Sequence, residues 1–163
     1  MNKLHQAEFQ SPIGIVEIVG TEDAITSILF SEKDTVDFPV TSDSPQVIVD
    51  CQRQLEEYFD GQRMEFDFPV TSTGTPFQQK VWSALTEVPY AETVSYGAIA
   101  KAIGSDKAVR AVGNANSKNK LTIVVPCHRI IGSTGKLTGY AGTLTRKEWL
   151  LRHEKEFAEM LKS

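Results

Sequence analysis

A short apolar, β-branched run, Ile123-Val124-Val125, stops at Pro126 and is followed at once by Cys127-His128-Arg129-Ile130-Ile131. Such a run bounded by breakers reads as a buried strand. Pro126 cannot donate to a sheet ladder, so the strand is predicted to end there. Any fold for this chain must therefore bury the run and hold Cys127 at a strand exit against a rigid core. A thiol with His128 and Arg129 adjoining has surroundings that favour thiolate over thiol. Taken alone, the stretch fits equally an inert buried cysteine, the usual fate of free thiols.

The chain has 163 residues, enough for one medium domain or two small ones. Cys51 and Cys127 are the only cysteines, too few for a disulfide framework and consistent with a reducing compartment. No apolar segment approaches membrane-spanning length, and the N-terminus lacks the apolar core of a signal peptide. A cytoplasmic protein is expected, or a nuclear one in a cell with a nucleus.

The net charge of −4 hides an asymmetry. Residues 1–73 carry 4 Lys/Arg against 14 Asp/Glu, whereas residues 74–163 carry 13 against 7. An acidic half joined to a basic half suggests a polyanion partner for the latter, although two solvated faces would give the same tally. Thr71-Ser72-Thr73-Gly74-Thr75 is a small polar linker at the junction. The expected domains are therefore residues 1–73 and 74–163.

In the acidic half, Leu4 to Gln10 and Gly14 to Val19 flank a hairpin-like turn, and Ala24 to Phe30 reads as a third strand. Ser44 and Pro45 fit the N-cap and first position of a helix reaching about Asp60, with Gly61 as its stop. Cys51 lies on the apolar stripe of that helix and reads as core. Glu65 to Val70 is a candidate fourth strand. No catalytic cluster forms here, and His5 with Cys51 does not make a zinc site, which wants four ligands.

The basic half opens with Thr75-Pro76, a cap and first-turn proline for a helix that Pro89 ends. Ser95 can cap a second helix closed by Gly104, and Lys107 to Asn116 reads as a third; the pair outlines a helix-turn-helix. On the third helix Arg110 is surrounded by Ala108, Ala111, Gly113 and Ala115. Small residues let a helix come close to a groove, where a lone arginine can enter the duplex. A helix reading the major groove would offer several polar side chains to base edges. Packing of a small-residue helix on a neighbour is the bland account. Gly132 to Gly142 is a glycine-rich loop with Tyr140 as an aromatic face. A last helix, about Leu144 to Leu161, carries Trp149, Leu150, His153 and Phe157 at helical spacing. Glu154 beside that stripe reads as a surface carboxylate.

Together, Pro126-Cys127-His128-Arg129, Arg110-Ala111-Val112-Gly113, Ser95-Tyr96, Asn119 and Tyr140-Ala141-Gly142 resemble the DNA alkyltransferases, the methylated-DNA–protein-cysteine methyltransferase family. The likeness covers about residues 74–158, and the first half is compatible with the family's variable N-terminal domain. The resemblance implies an α/β N-terminal domain, a small antiparallel sheet plus a helix. A mainly α C-terminal domain would follow, with a helix-turn-helix and a short strand leading to the active-site cysteine.

It also implies roles. Cys127 would accept the alkyl group of 6-O-alkylguanine, with 4-O-methylthymine as a second candidate substrate. His128 would take the thiol proton through a water, and Glu154 would orient His128. Asn119 would tie the recognition helix to the active-site segment. Tyr96 would help swing the nucleotide out and donate a proton to the leaving base, and Arg110 would fill the gap in the stack. Ala108, Ala111 and Gly113 would lie against the DNA, with Ser133 as a further contact. The pocket would include Tyr140 packed on the base, the N–H of Ala141, Gly142, Val125, Lys147 and the carbonyls of Cys127 and Ile130. No metal and no cofactor is called for, and the partner would be double-stranded DNA bound by a monomer through the minor groove, independently of sequence.

The chemistry is coherent. A buried thiol cannot reach a paired base, so the base must leave the stack. The S-alkyl thioether has no acyl carbon for water to attack, which predicts one turnover per molecule. A cysteine hydrolase is disfavoured, because adjacent residues in a strand point their side chains oppositely and a direct Cys–His pair is awkward. The remaining alternative is a non-enzymatic, lesion-sensing or regulatory helix-turn-helix protein. Binding-only relatives of the family lack the acceptor cysteine, which this chain has.

Overall fold

The computed structural model describes residues 3–132 and 143–161. The chain forms two compact units, Met1–Ser72 and Thr73–Ser163.

In the first unit, β1 (His5–Ser11), β2 (Gly14–Gly20) and β3 (Ile25–Ser31) form an antiparallel sheet in that order. The β1–β2 register runs from His5 opposite Gly20 to Ser11 opposite Gly14. Ser11 closes this hairpin: its Oγ donates to the Gly14 carbonyl at 2.6 Å and accepts from the Ile13 N–H at 3.2 Å. Gly14 adopts φ 119°, a conformation that suits glycine. Phe9, Val16, Ile18, Ile25 and Ile28 are buried. Against them packs α1 (Gln46–Phe59) through Val47, Ile48, Cys51, Leu55, Tyr58 and Phe59. Each fully buried Leu or Ile contributes about 1.5–3 kcal/mol.

Two details differ from the sequence expectation. Pro45, not Ser44, is the N-cap of α1, because the Ser44 Oγ accepts from the Thr41 N–H at 2.9 Å instead. Glu65 to Val70 is not a strand; only Val70 pairs, in a single bridge to Ile25. The side chain of Gln54 explains why, since it takes the Asp67 N–H at 3.0 Å and donates to the Asp67 carboxylate, leaving that backbone no ladder to join.

The second unit starts with α2 (Pro76–Thr86), whose Thr75 and Gln78 form a reciprocal capping box. The helix ends at Thr86, before Pro89. α3 (Tyr96–Ala102) is capped by Ser95, whose Oγ accepts the Ala98 N–H, and Gly104 at φ 78° turns the chain into α4 (Val109–Ser117). α2, α3 and α4 pack on one another, and the Trp82 indole N–H pins α2 to the Ala115 carbonyl of α4 at 2.8 Å. Two short strands, β4 (Val94–Ser95) and β5 (Ile130–Ile131), pair in parallel. α5 (Leu144–Leu161) packs against the turn Cys127–Arg129.

The segment before Cys127 corrects the expected strand at 123–125. Residues 122–124 form a turn, Cys127 opens a single 3₁₀ turn, and the short strand follows the cysteine instead of leading to it. Ile123 sits at φ 73°, a left-handed conformation costing roughly 1–2 kcal/mol for an L-residue. Asn119 supplies what a neighbouring strand would have supplied. Its Nδ2 donates to the carbonyls of Val125 at 2.9 Å and Leu121 at 3.4 Å, and its Oδ1 accepts the Leu121 N–H at 3.0 Å. A side chain stands in for a ladder.

Candidate active site

Cys127 is 1% exposed, and its Sγ accepts from Asn119 Nδ2 at 3.1 Å. The same amide therefore sets the loop and contacts the sulfur. Burial pushes the thiol up to about 11, against the pull of the Asn119 hydrogen bond and the Lys147 charge. The expected thiolate-favouring surroundings are thus outweighed at rest. One reason is that Arg129, which adjoins Cys127 in sequence, turns to Glu154: Nε donates to Oε1 at 2.9 Å and Nη2 to Oε2 at 3.0 Å. Nη1 donates to the Val88 carbonyl at 2.8 Å, and the guanidinium lies 5.6 Å from the centre of the Tyr90 ring.

Glu154 is fully buried on α5, not the surface carboxylate its position suggested. Its oxygens meet His128 Nε2 at 2.6 Å, both Arg129 nitrogens, and the Ala91 N–H at 3.1 Å. Burial alone would raise its pKa, but His128 and Arg129 prevail and hold the carboxyl well below the usual range. An ionised carboxylate can only accept, so Nε2 of His128 carries the hydrogen and Nδ1 keeps its lone pair. Nδ1 is buried and has no hydrogen-bond partner among the described residues. Burial, aided by the Arg129 and Lys147 charges, lowers the basicity of His128 against the pull of Glu154.

Lys147, also on α5, has no exposed surface, and its ammonium donates to the Ile130 carbonyl. Burial lowers it to about 8 while the nearby Cys127 opposes the shift. Lys147, Leu150, His153 and Glu154 make the buried stripe of α5; Trp149 and Phe157 are half-buried, Trp149 stacked on the His153 ring and Phe157 tilted against it.

Arg110 is exposed on α4 with Ala111, while Ala108 is the half-buried N-cap of that helix. Gly113 faces the ring of Tyr96: a Cβ there would stand 3.7 Å from Cε1. The structure thus brings together Cys127, Asn119, His128, Glu154 and Lys147 in one cluster, and Tyr96, Arg110, Ala111 and Gly113 along α3 and α4. Val125 is buried with its carbonyl on Asn119. Ser133, Tyr140, Ala141 and Gly142 lie outside the described residues. Sequence reasoning missed Arg129 as a partner of Glu154 and the Val88–Ala91 segment that completes the carboxylate's shell; the arginine beside His128 was the available signal.

Among the described residues no cluster of His, Cys, Asp and Glu could hold a metal ion, and no helix is long and apolar enough to cross a membrane.

Two family models match the chain: 6-O-methylguanine DNA methyltransferase, ribonuclease-like domain, over residues 4–71, and 6-O-methylguanine DNA methyltransferase, DNA binding domain, over residues 76–156. The constitutive methylated-DNA–protein-cysteine methyltransferase of Bacillus subtilis is 48% identical over 153 residues, spanning 90% of this chain and 92% of that protein. The methylated-DNA–protein-cysteine methyltransferase of Methanosarcina acetivorans is 46% identical over 153 residues, with 93% and 98% covered. Among solved structures, Mycobacterium tuberculosis O6-methylguanine methyltransferase superposes with a TM-score of 0.84 at 42% identity, covering 94% of each chain. The M. tuberculosis OGT in complex with DNA gives a TM-score of 0.83 at 43% identity, again covering 94% of each chain.

Proposed function

The chain belongs to the 6-O-methylguanine DNA methyltransferase family, and from that membership we propose that Cys127 removes the alkyl group from 6-O-alkylguanine in duplex DNA. It is a DNA-binding methyltransferase of direct-reversal repair, acting on methylated DNA with a cysteine of its own as acceptor. The observation that carries the residue assignment is the buried cluster in which Asn119 donates to Cys127 Sγ while the adjacent His128 is backed by Glu154.

From the family membership and this cluster we infer the following course. The protein binds the duplex as a monomer through α3 and α4 in the minor groove, without base-specific contacts. The target nucleotide leaves the stack at an unpairing cost of a few kcal/mol, lower for a base that pairs badly. Arg110, exposed and without a hydrogen bond to any described residue, occupies the vacated space; Tyr96 beside it guides the base and gives it a proton. The Cys127 proton passes to Nδ1 of His128, through a water. The sulfur then forms a bond to the alkyl carbon as the carbon–oxygen bond breaks, and the protonated guanine departs with that electron pair. Asn119 Nδ2 and the Lys147 ammonium oppose the charge that develops on sulfur before attack. The thioether persists, so each molecule reacts once. Cytoplasmic location fits this chemistry and its reduced thiols.

The test is the intact mass of the protein after incubation with duplex DNA carrying one 6-O-methylguanine. A stoichiometric gain of one methylene mass at Cys127, absent in Cys127→Ala, is expected. No gain with DNA binding intact would leave the lesion-sensing alternative, which the comparisons do not favour.

A further inference from the structure

Arg129 is buried and uses all three of its guanidinium nitrogens within the protein. Two of them grip both oxygens of Glu154, the carboxylate that also receives His128 Nε2. We propose that Arg129 is a positioning residue for alkyl transfer: by forking onto Glu154 it offsets the carboxylate's pull on His128 and helps His128 rest as a neutral base able to take the Cys127 proton. The inference rests on the reading of Cys127 as acceptor and His128 as its base.

A buried imidazole facing a lone carboxylate gains proton affinity, because the imidazolium completes an ion pair. Such a histidine would enter the reaction already protonated and could not accept from a thiol. Here the ion pair is completed by Arg129 instead. The charged groups that act on His128 are Arg129 beside it and Glu154 and Lys147 from α5; Tyr90, from the segment between α2 and β4, lies against Arg129, and Cys127 precedes His128 in the same turn. His153 on α5 is engaged with the Trp149 and Phe157 rings, and α2, which also packs on the turn, carries only the exposed Lys80 as a charged residue. Among the described residues two cations and one anion act on His128, so a proton on the imidazole would add a third positive charge against one negative. The fork geometry matters as well as the charge. It grips both oxygens of Glu154, so that Oε2 is shared between Nη2 of Arg129 and Nε2 of His128, while the Val88 carbonyl and the Tyr90 ring hold the guanidinium. Lysine has the charge but cannot bridge both oxygens.

The experiment compares wild type, Arg129→Gln and Arg129→Lys by the rate of methyl gain at Cys127 from about pH 5 to 9, a range that spans imidazole titration. With Arg129→Gln the acid limb of the profile should move up by about one pH unit, as expected for losing a neighbouring charge. With Arg129→Lys the limb should stay in place while the rate falls at all pH values. An equal loss at every pH in both variants would mean that Arg129 only packs, and would overturn the proposal. A second measurement covers the case in which the Gln variant does not fold: ¹⁵N NMR of labelled histidine in the wild-type protein. His128 should remain neutral below the ordinary imidazole value of about 6.5; an imidazolium at neutral pH would overturn the proposal. Absence of methyl gain in wild type at any pH would refute the acceptor reading itself, whereas the NMR titration reads the role of Arg129 separately.

Discussion

A lysine side chain is almost never fully buried unless its charge is needed, and Lys147 is buried beside the thiol with its ammonium on the Ile130 carbonyl. Its folded-state pKa, lowered by burial to about 8 from an ordinary 10.5, makes the unfolded chain the stronger proton binder between those values. Stability should therefore rise with pH through that window, and the penalty is complete below about pH 8. Lys147→Met is expected to stabilise the protein at neutral pH by about 1–3 kcal/mol, with the gain gone above the ordinary lysine range. The same change should slow alkyl transfer roughly tenfold to hundredfold, since one donor to a developing charge is lost. Thermal melts at two pH values and single-turnover rates check both halves. A variant that is less stable and equally fast would refute the argument. The residues of α5 also show where the sequence misleads. Apolar spacing selected Trp149 and Phe157, yet the stripe that faces inward holds Lys147 and Glu154. Polarity at those positions hides burial, so only the family resemblance, not periodicity, could assign Glu154 a place in the site.

At the scale of elements, glycine in a helix interior is a departure that needs a cause. Gly113 lies within α4, and a Cβ there would make only an ordinary contact with Tyr96 at 3.7 Å. Nothing inside the described protein requires glycine at that position. Gly113→Ala should raise the melting temperature, through a helix-propensity gain of about 0.5–1 kcal/mol. If α4 lies close against the minor groove, the same methyl should weaken duplex binding by about tenfold, or 1.4 kcal/mol. Unchanged affinity would remove this face of α4 from the interface. Asn119 gives the opposite case, an element built by one side chain. Asn119→Ala leaves the Leu121 N–H without its buried partner and the Val125 carbonyl with the Cys127 N–H alone, and should cost about 1–3 kcal/mol. It should also abolish transfer, since the Cys127 loop loses its template; a folded, fully active variant would contradict this. Helices α2, α3 and α4 were legible because their caps, Thr75 and Ser95, and the stop at Gly104 act within a few residues of sequence. The segment before Cys127 was not, because its hydrogen bonds go to a side chain several residues upstream. A β-branched run carries no sign of that.

For the molecule as a whole, charge is distributed by unit. Met1–Ser72 holds 4 Lys/Arg and 14 Asp/Glu, and Thr73–Ser163 holds 13 and 7. A net acidic protein can then bind a polyanion, provided the basic unit makes the contacts, and the binding should be strongly dependent on salt. Within that unit Lys107 and Arg110 are both exposed near the start of α4, but they should behave differently. Lys107 acts as a phosphate neutraliser, so Lys107→Gln should reduce the slope of log affinity against log salt by about one, equally for damaged and undamaged duplex. Arg110 acts inside the stack, so Arg110→Ala should slow methyl transfer from duplex DNA far more than it weakens binding to undamaged DNA. The decisive control is free 6-O-methylguanine base, which needs no flipping: the rate at which it methylates Cys127 should be untouched by Arg110→Ala. Equal loss on duplex and free base would mean that Arg110 supports the pocket, and the division between a salt-governed surface and a stack-filling residue would fail.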